Sequence, residues 1–514
     1  MKKTVPELEG VDSARLAEFT NRFFSLRWTH GLVVARHGRI VAECYRDLCS
    51  ASDRHQLFSL SKSFTSSAVG IALGEGLVPS LDAPVASFFP EFDSPKVSEH
   101  MRRVTLRNLL TMGMGRASCG LWGDRYAALH SAFEASAAAS DMREVALRFA
   151  SGREYFGNDG PWVGNLLEDE LADEPGSRFE YNSAATFLLS AVIQKVSGVR
   201  LSEYLRERFF RPLGIGGDAV WDLTPDGIDL GGAGLNLSVR EIAAAAQCWL
   251  RGGRAPDGRQ LVPASYMAEA TSRQIDNDGP GRNPDWCQGY GYQFWRCRHG
   301  AFRGDGASGQ LAVIFPQFDA VVAATAGMTD MQRELDTIWE WLLPAFSDAP
   351  LPENPAGVAK LREAENGQSF DLGPAGEPCG ALPPDRAPER FVCAPNPLGL
   401  AEIALSQDAG GVSLEFVFGD GASDLLCAGY RAARKSLLRR IVANRCFGAF
   451  ARASWTSPRA VRIVAAVPCT TAFYTIDIDL DAMTMRERTP IWFAHNWLCD
   501  VSTRLVRKNN PQLP

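Results

Sequence analysis

The most informative segment of the chain reads Leu57-Phe58-Ser59-Leu60-Ser61-Lys62-Ser63-Phe64-Thr65. It sets Ser59 three residues before Lys62, at the predicted start of a helix, where residues three apart lie on one face. A serine hydroxyl is a poor nucleophile until a nearby base removes its proton, and a lysine amine on the same face is such a base. The free N–H groups and the positive dipole at a helix start favour developing negative charge. The segment therefore predicts a nucleophile, its base and part of an oxyanion hole.

The Ser-x-x-Lys spacing is weak evidence alone, because many surface helices carry such a pair by chance. The residues that follow strengthen it, since Phe64 to Gly74 are small or apolar and carry no charge, which predicts a buried helix. A buried lysine is costly unless it is paired or its pKa falls. A base that is neutral near neutral pH is what this chemistry needs.

Composition describes an ordinary soluble enzyme of more than one domain. The chain has 514 residues, 46% hydrophobic and 22% charged, with a formal net charge of -7. This length predicts two or more domains and a sizeable core. No long Lys/Arg block is present, so we expect no nucleic-acid partner.

We expect a cytoplasmic protein without a metal, on the basis of the N-terminal residues, the hydropathy and the cysteines. Met1 to Gly10 include no apolar segment, so no secretory signal is predicted, and no run of 18 apolar residues predicts a membrane span. The twelve cysteines form no Cys-x-x-Cys pair and no zinc spacing with histidine. We expect reduced thiols, with a few disulfides after export by another route left open.

The order of predicted elements is strands, many helices, strands and a helix. Periodicity predicts helices over residues 11–28, 59–74, 105–112, 187–196, 240–250 and 336–346, and strands over 31–45 (a hairpin turning at 37–38), 291–295, 309–315 and 320–325. This order favours an α+β fold, in which helices pack on an antiparallel sheet whose first and last strands come from opposite chain ends.

The first predicted domain spans residues 1–346. Composition distinguishes three further regions, two after this domain and one within it. Residues 347–390 are rich in Pro, Gly, Ala and Glu and are predicted to be a linker. Residues 391–514 are predicted to be a small β domain, for which a barrel is one candidate form. Residues 115–175 are an irregular insertion, suited to a lid or a pocket wall. Aromatic residues expected in the walls, for most of which core packing is the commoner role, are Trp122, Tyr126, Trp162, Trp286 and Tyr290.

Two more segments carry candidate chemistry. Tyr181-Asn182-Ser183 comes just before a helix, and a tyrosine exchanging a proton with Lys62 could act on the Ser59 hydroxyl. An ordinary tyrosine at a helix cap is the alternative. The run from Arg303 to Gln310 holds three glycines before a strand, and glycines let backbone approach a ligand. An N–H there could be a second oxyanion donor, the alternative being a flexible hairpin turn.

With these pieces in the same order, residues 10–346 resemble the serine β-lactamase-like hydrolases. That group includes class C β-lactamases, D-alanyl-D-alanine peptidases, related esterases and aminohexanoate-oligomer hydrolases. The resemblance implies a β-lactamase/transpeptidase-like fold with a helical subdomain, Ser59 as nucleophile, Lys62 as base and Tyr181 as the family tyrosine. It implies that residues 304–310 belong to the strand closing the site, and it implies no metal or organic cofactor.

The sequence departs from the family pattern twice. The common second motif is Tyr-x-Asn, whereas this chain has Tyr181-Asn182-Ser183, a form more like the oligomer-hydrolase and esterase branch. No Lys-Thr-Gly stands before the strand, and Arg303 is the candidate to replace that cation, which helps to hold a substrate carboxylate in the family. The resemblance therefore predicts against efficient β-lactam hydrolysis and cell-wall peptidase action, which stay as lesser alternatives (a D-amino-acid peptidase or a weak β-lactamase).

The predicted function is that of a serine hydrolase that cleaves a small-molecule ester or amide through an acyl-enzyme. The predicted catalytic residues are Ser59, Lys62 and Tyr181, and the predicted oxyanion or substrate contacts are Ser59, Gly306, Ala307, Asn182, Ser183 and Arg303.

Three features of the sequence are compatible with more than one interpretation. A Ser-His-Asp triad is the rival mechanism, although the chain has seven histidines and no Gly-x-Ser-x-Gly. A non-catalytic ligand-binding or sensing protein on the same fold is the rival function. The C-terminal domain carries no readable motif, so covering the pocket, mediating contacts in a homodimer and stabilising the fold are all compatible with it.

Overall fold

The computed structural model describes residues 1–514 except 27, 117–160, 217–218, 225, 280–281, 329, 380–381, 383–385, 397, 439–446, 471–472, 491–497 and 509–514. The described chain divides into two compact units, one ending at Gln368 and one beginning at Ser369. The predicted insertion 115–175 lies largely outside the described residues, as do Trp122 and Tyr126.

A seven-stranded sheet in the order β1-β3-β2-β9-β8-β7-β6 forms the centre of the first unit. Its strands are β1 (Lys2–Lys3), β2 (Thr29–Arg36), β3 (Arg39–Tyr45), β6 (Trp295–Arg296), β7 (Phe302–Gly306), β8 (Gln310–Phe315) and β9 (Ala320–Ala326). β1 pairs with β3 in parallel, and the other pairs are antiparallel. Because β2 pairs with β9, strands from opposite ends of the domain meet at the centre, which confirms the predicted α+β arrangement.

Some helices of this unit pack on the two faces of this sheet, and others pack on neighbouring helices. They are α1 (Ser13–Ser25), α2 (Ser61–Gly74), α3 (Glu99–Arg103), α4 (Leu106–Leu110), α5 (Trp162–Leu167), α6 (Ser183–Ser197), α7 (Leu201–Leu205), α8 (Val239–Leu250), α9 (Ala264–Ala270), α10 (Met331–Thr337) and α11 (Pro355–Asn366). Successive β2 residues point to opposite faces, as the two-residue period of a strand requires. Val33 joins the core of α2 and α8, whereas Leu32 and Val34 join the core of α1, α10 and α11.

A short ladder brings distant parts of the chain next to Ser59. Strand β4 (His55–Gln56) pairs with β5 (Asn236–Leu237), and the Leu57 N–H donates to the Leu235 carbonyl at 2.8 Å. The segment before β5 is therefore fixed beside the segment that leads into α2. Across the described residues, no single helix reaches the length and hydropathy of a membrane span, although the bent pair Ser183–Ser197 and Leu201–Leu213 does so jointly.

Two predicted elements differ from the structure. Part of the predicted linker 347–390 is α11, whose buried Leu361 and Ala364 belong to the core that contains α1. The Pro/Gly-rich composition obscured a helix that begins at a proline, which is well tolerated at a first helical turn. Most of the predicted strand 291–295 is an irregular bend, because Gln293 adopts a left-handed φ of 63° that a strand excludes, and only Trp295 belongs to a strand, β6.

The second unit is a closed β barrel, as the alternating pattern after residue 391 indicated. Its strands are β10 (Glu389–Cys393), β11 (Leu400–Asp408), β12 (Gly411–Phe418), β13 (Ser423–Gly429), β14 (Arg434–Leu438), β15 (Phe447–Ser457), β16 (Ala460–Ala466), β17 (Phe473–Asp479), β18 (Thr484–Pro490) and β19 (Leu498–Arg507). Parallel pairing of β13 with β15 closes a ring of nine strands. Inward residues such as Phe416 and Ile476 fill its core.

Candidate active site

Ser59 lies in a tight turn that leads into the buried helix α2. The turn is a 3-10 helix over Phe58–Leu60, so Ser59 precedes the α-helix rather than beginning it, and Lys62 lies in the first turn of α2. Phe58 adopts a left-handed φ of 47°, which is strained for a bulky side chain. Such strain persists only where the surroundings hold it, and it is concentrated at functional sites. The predicted three-residue spacing still brings the two side chains together.

The Lys62 ammonium lies at the centre of a buried polar cluster. Its Nζ donates to Ser59 Oγ at 3.0 Å, to Ser183 Oγ at 3.0 Å and to the Gly232 carbonyl at 2.7 Å. The side chain is 1% exposed, and within the described chain no carboxylate lies at ion-pair distance from it. Burial lowers the pKa of Lys62 to about 7, an effect that the charge of Asp305 partly opposes.

A neutral Lys62 would be oriented to accept a proton. The Gly232 carbonyl can only accept, so it must take one of the two amine hydrogens. The second hydrogen can go to one hydroxyl, and the lone pair then accepts from the other. The cluster can therefore receive the Ser59 proton without moving any side chain.

Tyr181 presents its ring to this cluster. The Lys62 Nζ lies 5.0 Å from the ring centroid, and the ring stacks on Trp295 at 5.4 Å. The backbone on both sides of Tyr181 is held by Met112, whose carbonyl accepts from the Glu180 N–H and whose sulfur accepts from the Asn182 N–H. The structure thus brings together the three residues predicted as catalytic.

Ser183, and not Asn182, reaches Lys62. Asn182 is the N-cap of α6, accepting from the Ala185 N–H at 2.8 Å and donating to the Glu180 carbonyl at 3.0 Å. These bonds occupy its amide and fix the turn that carries Tyr181. Ser183 follows as the first residue of α6, and its hydroxyl therefore faces the lysine.

The glycines predicted to lie near an oxyanion are part of a strand that packs directly on the Ser59 turn. A Cβ on Gly306 would overlap the Leu57 carbonyl, and one on Gly304 would lie 2.6 Å from the Leu60 side chain. Only glycine permits this approach. A turn follows this strand at Ala307, where Gln310 Nε2 donates to the Ala307 carbonyl at 3.1 Å. This turn is shorter than the hairpin turn that was the alternative prediction for the run from Arg303 to Gln310.

Arg303 does not reach Ser59, contrary to its predicted role in holding a substrate. Strand alternation puts Arg303 and Asp305 on the face opposite to Gly304 and Gly306. The guanidinium is fully buried, donates to Asp305 Oδ2 at 2.8 Å and to the Asp285 carbonyl at 2.7 Å, and lies 4.3 Å from the Trp286 ring. It is not available to hold a substrate carboxylate here.

A second glycine-rich segment, Gly231-Gly232-Ala233-Gly234, was not among the predicted site residues. Gly231 and Gly234 have φ values of 63° and 92°, which favour glycine, and they bend the chain so that Gly232 presents its carbonyl to Lys62. The cluster of glycines was a signal in the sequence, but the contact of the Gly232 carbonyl with Lys62 forms only in the folded protein.

His30 and His55 lie outside the Ser59–Lys62 cluster, whereas the predicted aromatic wall residues divide, Tyr290 packing on Tyr181 and Trp162 on Phe187. His30 and His55 pack together with ring centroids 5.3 Å apart, and burial lowers the pKa of both, that of His55 to about 3. In the described chain neither bonds to Ser59 or Lys62. Trp162 is a core residue, and Tyr290 is buried edge-on to Tyr181. No group of three metal-binding side chains occurs among the described residues.

Comparison with known proteins identifies the family of this chain. The family model described as Beta-lactamase matches residues 27–340. The chain belongs to the beta-lactamase family. It is thus a serine hydrolase enzyme of that family, as the resemblance predicted.

Individual relatives of this beta-lactamase-family chain are distant. The 6-aminohexanoate-dimer hydrolase of Paenarthrobacter ureafaciens is 24% identical over 313 residues, which cover 59% of this chain and 73% of that protein. Among solved structures, the octameric penicillin-binding protein homologue from Pyrococcus abyssi is 16% identical, with coverage of 95% and 98% and a TM-score of 0.45. A D-stereospecific amidohydrolase from Streptomyces sp. is 18% identical, with coverage of 62% and 97% and a TM-score of 0.46.

Proposed function

We propose that this enzyme cleaves an ester or amide bond through an acyl-enzyme on Ser59, with Lys62 as the general base. The observation that supports this most is the environment of the Lys62 amine. It is buried, has no carboxylate partner in the described chain, and lies 3.0 Å from Ser59 Oγ. An amine with a pKa of about 7 is neutral in a large fraction of molecules at neutral pH, as a base must be.

The proposed acylation is a single addition and elimination. Ser59 Oγ attacks the substrate carbonyl carbon while its proton passes to Lys62 Nζ. The carbonyl oxygen becomes an oxyanion, for which the N–H groups of Ser59 and Ala307 are the proposed donors. When the tetrahedral species collapses, the carbonyl–leaving-group bond breaks and the leaving alcohol or amine takes a proton from the Lys62–Tyr181 cluster.

Deacylation repeats these steps with water as the nucleophile. The amine, neutral again, takes a proton from water, whose oxygen adds to the ester carbonyl of the acyl-enzyme. Ser59 leaves and regains a proton from Lys62, which releases the acid. Tyr181 is proposed to hold the cluster and to exchange a proton with Lys62.

The charges around the site and one relative indicate a substrate class. The buried Arg303–Asp305 pair leaves this side of the site without an exposed cation among the described residues, which disfavours a substrate carboxylate next to the scissile bond. The curated relative is named for hydrolysis of the 6-aminohexanoate dimer. We therefore include small linear amides beside short-chain esters among the substrates to test.

The test combines turnover with labelling. Wild type should hydrolyse p-nitrophenyl esters or anilides and gain one adduct from a fluorophosphonate, whereas Ser59→Ala should do neither. Ser177→Ala, which changes an exposed serine, serves as the control and should behave as wild type. A folded wild type that neither turns over nor is labelled would favour the ligand-binding alternative instead.

A further inference from the structure

Gln293 is a buried residue outside the proposed catalytic cluster, with hydrogen bonds to three different helical segments. Its side chain is 2% exposed. The amide Nε2 donates to the carbonyls of Leu109 and Leu110, both at 3.0 Å, and Oε1 accepts from Thr186 Oγ1 at 2.7 Å. The backbone takes part as well, since the Gln293 N–H donates to the Leu110 carbonyl at 3.1 Å.

Two contacts of Gln293 are with helices that carry proposed catalytic groups. The Gln293 carbonyl accepts from Ser63 Oγ at 2.8 Å, next to Lys62 on α2. Thr186 lies one turn after Ser183 on α6, so its bond fixes the segment that carries the second hydroxyl of the cluster.

The contact with α4 reaches Tyr181. The last carbonyls of a helix have no partners within it, and the Gln293 amide supplies donors for those of Leu109 and Leu110. The chain then continues to Met112, which binds the backbone on both sides of Tyr181. The three segments are therefore tied to one another through a single side chain and its backbone.

The conformation of Gln293 indicates that its place is determined by these contacts. Its φ of 63° lies in the left-handed region, which residues other than glycine, asparagine and aspartate seldom occupy. Such a conformation persists only when the surroundings fix it. A glutamine chosen merely to fill space would not need all four polar groups to be satisfied.

We propose that Gln293 is a positioning residue for the reaction, holding the Ser59–Lys62 segment at its working distance from the Tyr181–Ser183 segment. The proposal rests on the function proposed above. A displacement of about 1 Å in a catalytic constellation can cost about a hundredfold in rate. Loss of the amide should therefore slow attack by Ser59 although Gln293 never touches the reacting atoms.

The test measures the second-order rate of fluorophosphonate labelling against pH in the full chain. Gln293→Met keeps the volume and removes the amide, so we expect labelling to fall by about a hundredfold in folded protein. Gln293→Glu should also change the way in which the labelling rate depends on pH. Its neutral acid can still donate to α4 and accept from Thr186, whereas its ionised form repels the α4 carbonyls, so labelling should decline on the alkaline side where wild type does not.

Gln247→Met is the matched control. Gln247 is a buried glutamine on α8 whose side-chain N and O bond to nothing in the described chain, so the same chemical change there should leave the labelling profile at wild-type values. Circular dichroism at each pH separates folded protein from unfolded. A merely structural role would alter the folded fraction but not the shape of the profile.

Clear results would overturn the proposal. Gln293→Met labelling at the wild-type rate, or folded Gln293→Glu without the alkaline decline, would do so. If Gln293→Met does not fold, Thr186→Val is the deciding variant, because it removes one hydrogen bond to the Gln293 amide. It should still slow labelling, and labelling at the wild-type rate would reject the role of Gln293. Loss of labelling from wild type itself would instead count against the proposed function.

Discussion

Lys62 shows at the scale of one residue how stability and chemistry compete. Burial lowers its pKa from 10.5 to about 7. At 1.36 kcal/mol per pKa unit, keeping the amine in this site costs the fold about 4 to 5 kcal/mol near neutral pH. A protein selected for stability alone would place an apolar side chain here, so the cost itself supports a functional reason for the lysine.

Replacing this amine should stabilise the enzyme while abolishing its activity. Lys62→Met removes the cost of burial but leaves Ser183 and the Gly232 carbonyl without a partner, which takes back part of the gain. We expect a net rise in the free energy of unfolding on the order of 2 kcal/mol at pH 7. Urea unfolding of wild type and variant measures it, and a less stable variant would contradict the argument.

The pH dependence follows from the same pKa. Acylation requires the neutral amine, so the labelling rate of wild type should fall as pH drops below about 7. Because the folded pKa lies below the unfolded value of 10.5, the unfolded chain binds more protons between about 7 and 10.5, and stability should rise with pH across that window. The Lys62→Met variant should lack this rise, and a wild type without it would contradict the depressed pKa.

At the scale of elements, the sequence predicted those whose periodicity is undisturbed. The hairpin of β2 and β3, helix α6 ending at Gly198 and helix α8 before Gly252 all occur near their expected positions. Periodicity did not identify strand β7, which only the family resemblance assigned to a strand, because its alternation sets two glycines on one face and a charged pair on the other. A buried Arg303–Asp305 ion pair is invisible to a pattern based on hydrophobicity.

The closeness of β7 to the Ser59 turn gives a prediction about that element. Gly306→Ala should push the strand off the Leu57 carbonyl, lower the unfolding midpoint and slow labelling of Ser59 together. Gly419→Ala is a suitable control, since its added Cβ would meet only the Gly399 carbonyl at 3.9 Å. Thermal unfolding and labelling rates measure both effects, and equal behaviour of the two variants would show that the close approach has no role.

At the scale of the whole molecule, the site is assembled from segments far apart in sequence. The residues with recognisable local motifs, Ser59, Lys62 and Tyr181, could be found from the sequence. The Gly232 carbonyl and the Gln293 amide could not, since each contributes through a contact that exists only after β4 pairs with β5 or after α4 packs beside α6. Backbone groups and amides of this kind leave no distinctive spacing.

The first compact unit extends beyond its predicted boundary, and truncation tests whether this extension stabilises it. Helix α11 lies beyond the predicted boundary at 346, yet Leu361 packs in the core with α1, and Glu365 bonds to Lys3 at 2.8 Å and to the Glu43 N–H at 2.9 Å. A chain ending at 368 should therefore fold with a higher unfolding midpoint than one ending at 346. Within the 1–368 chain, Leu361→Ala should cost about 2 to 5 kcal/mol, as other buried leucines do.

The neighbouring exposed residue provides the comparison for this helix. Lys360→Ala changes a solvent-facing position of α11 and should alter stability by less than about 0.5 kcal/mol. Using the 1–368 chain as host keeps unfolding of the barrel out of the measurement, so a two-state treatment applies more safely than in the full chain. If the chains ending at 346 and 368 unfold at the same midpoint, α11 contributes nothing to the hydrolase unit, and the burial of Leu361 against α1 does not represent a stabilising contact.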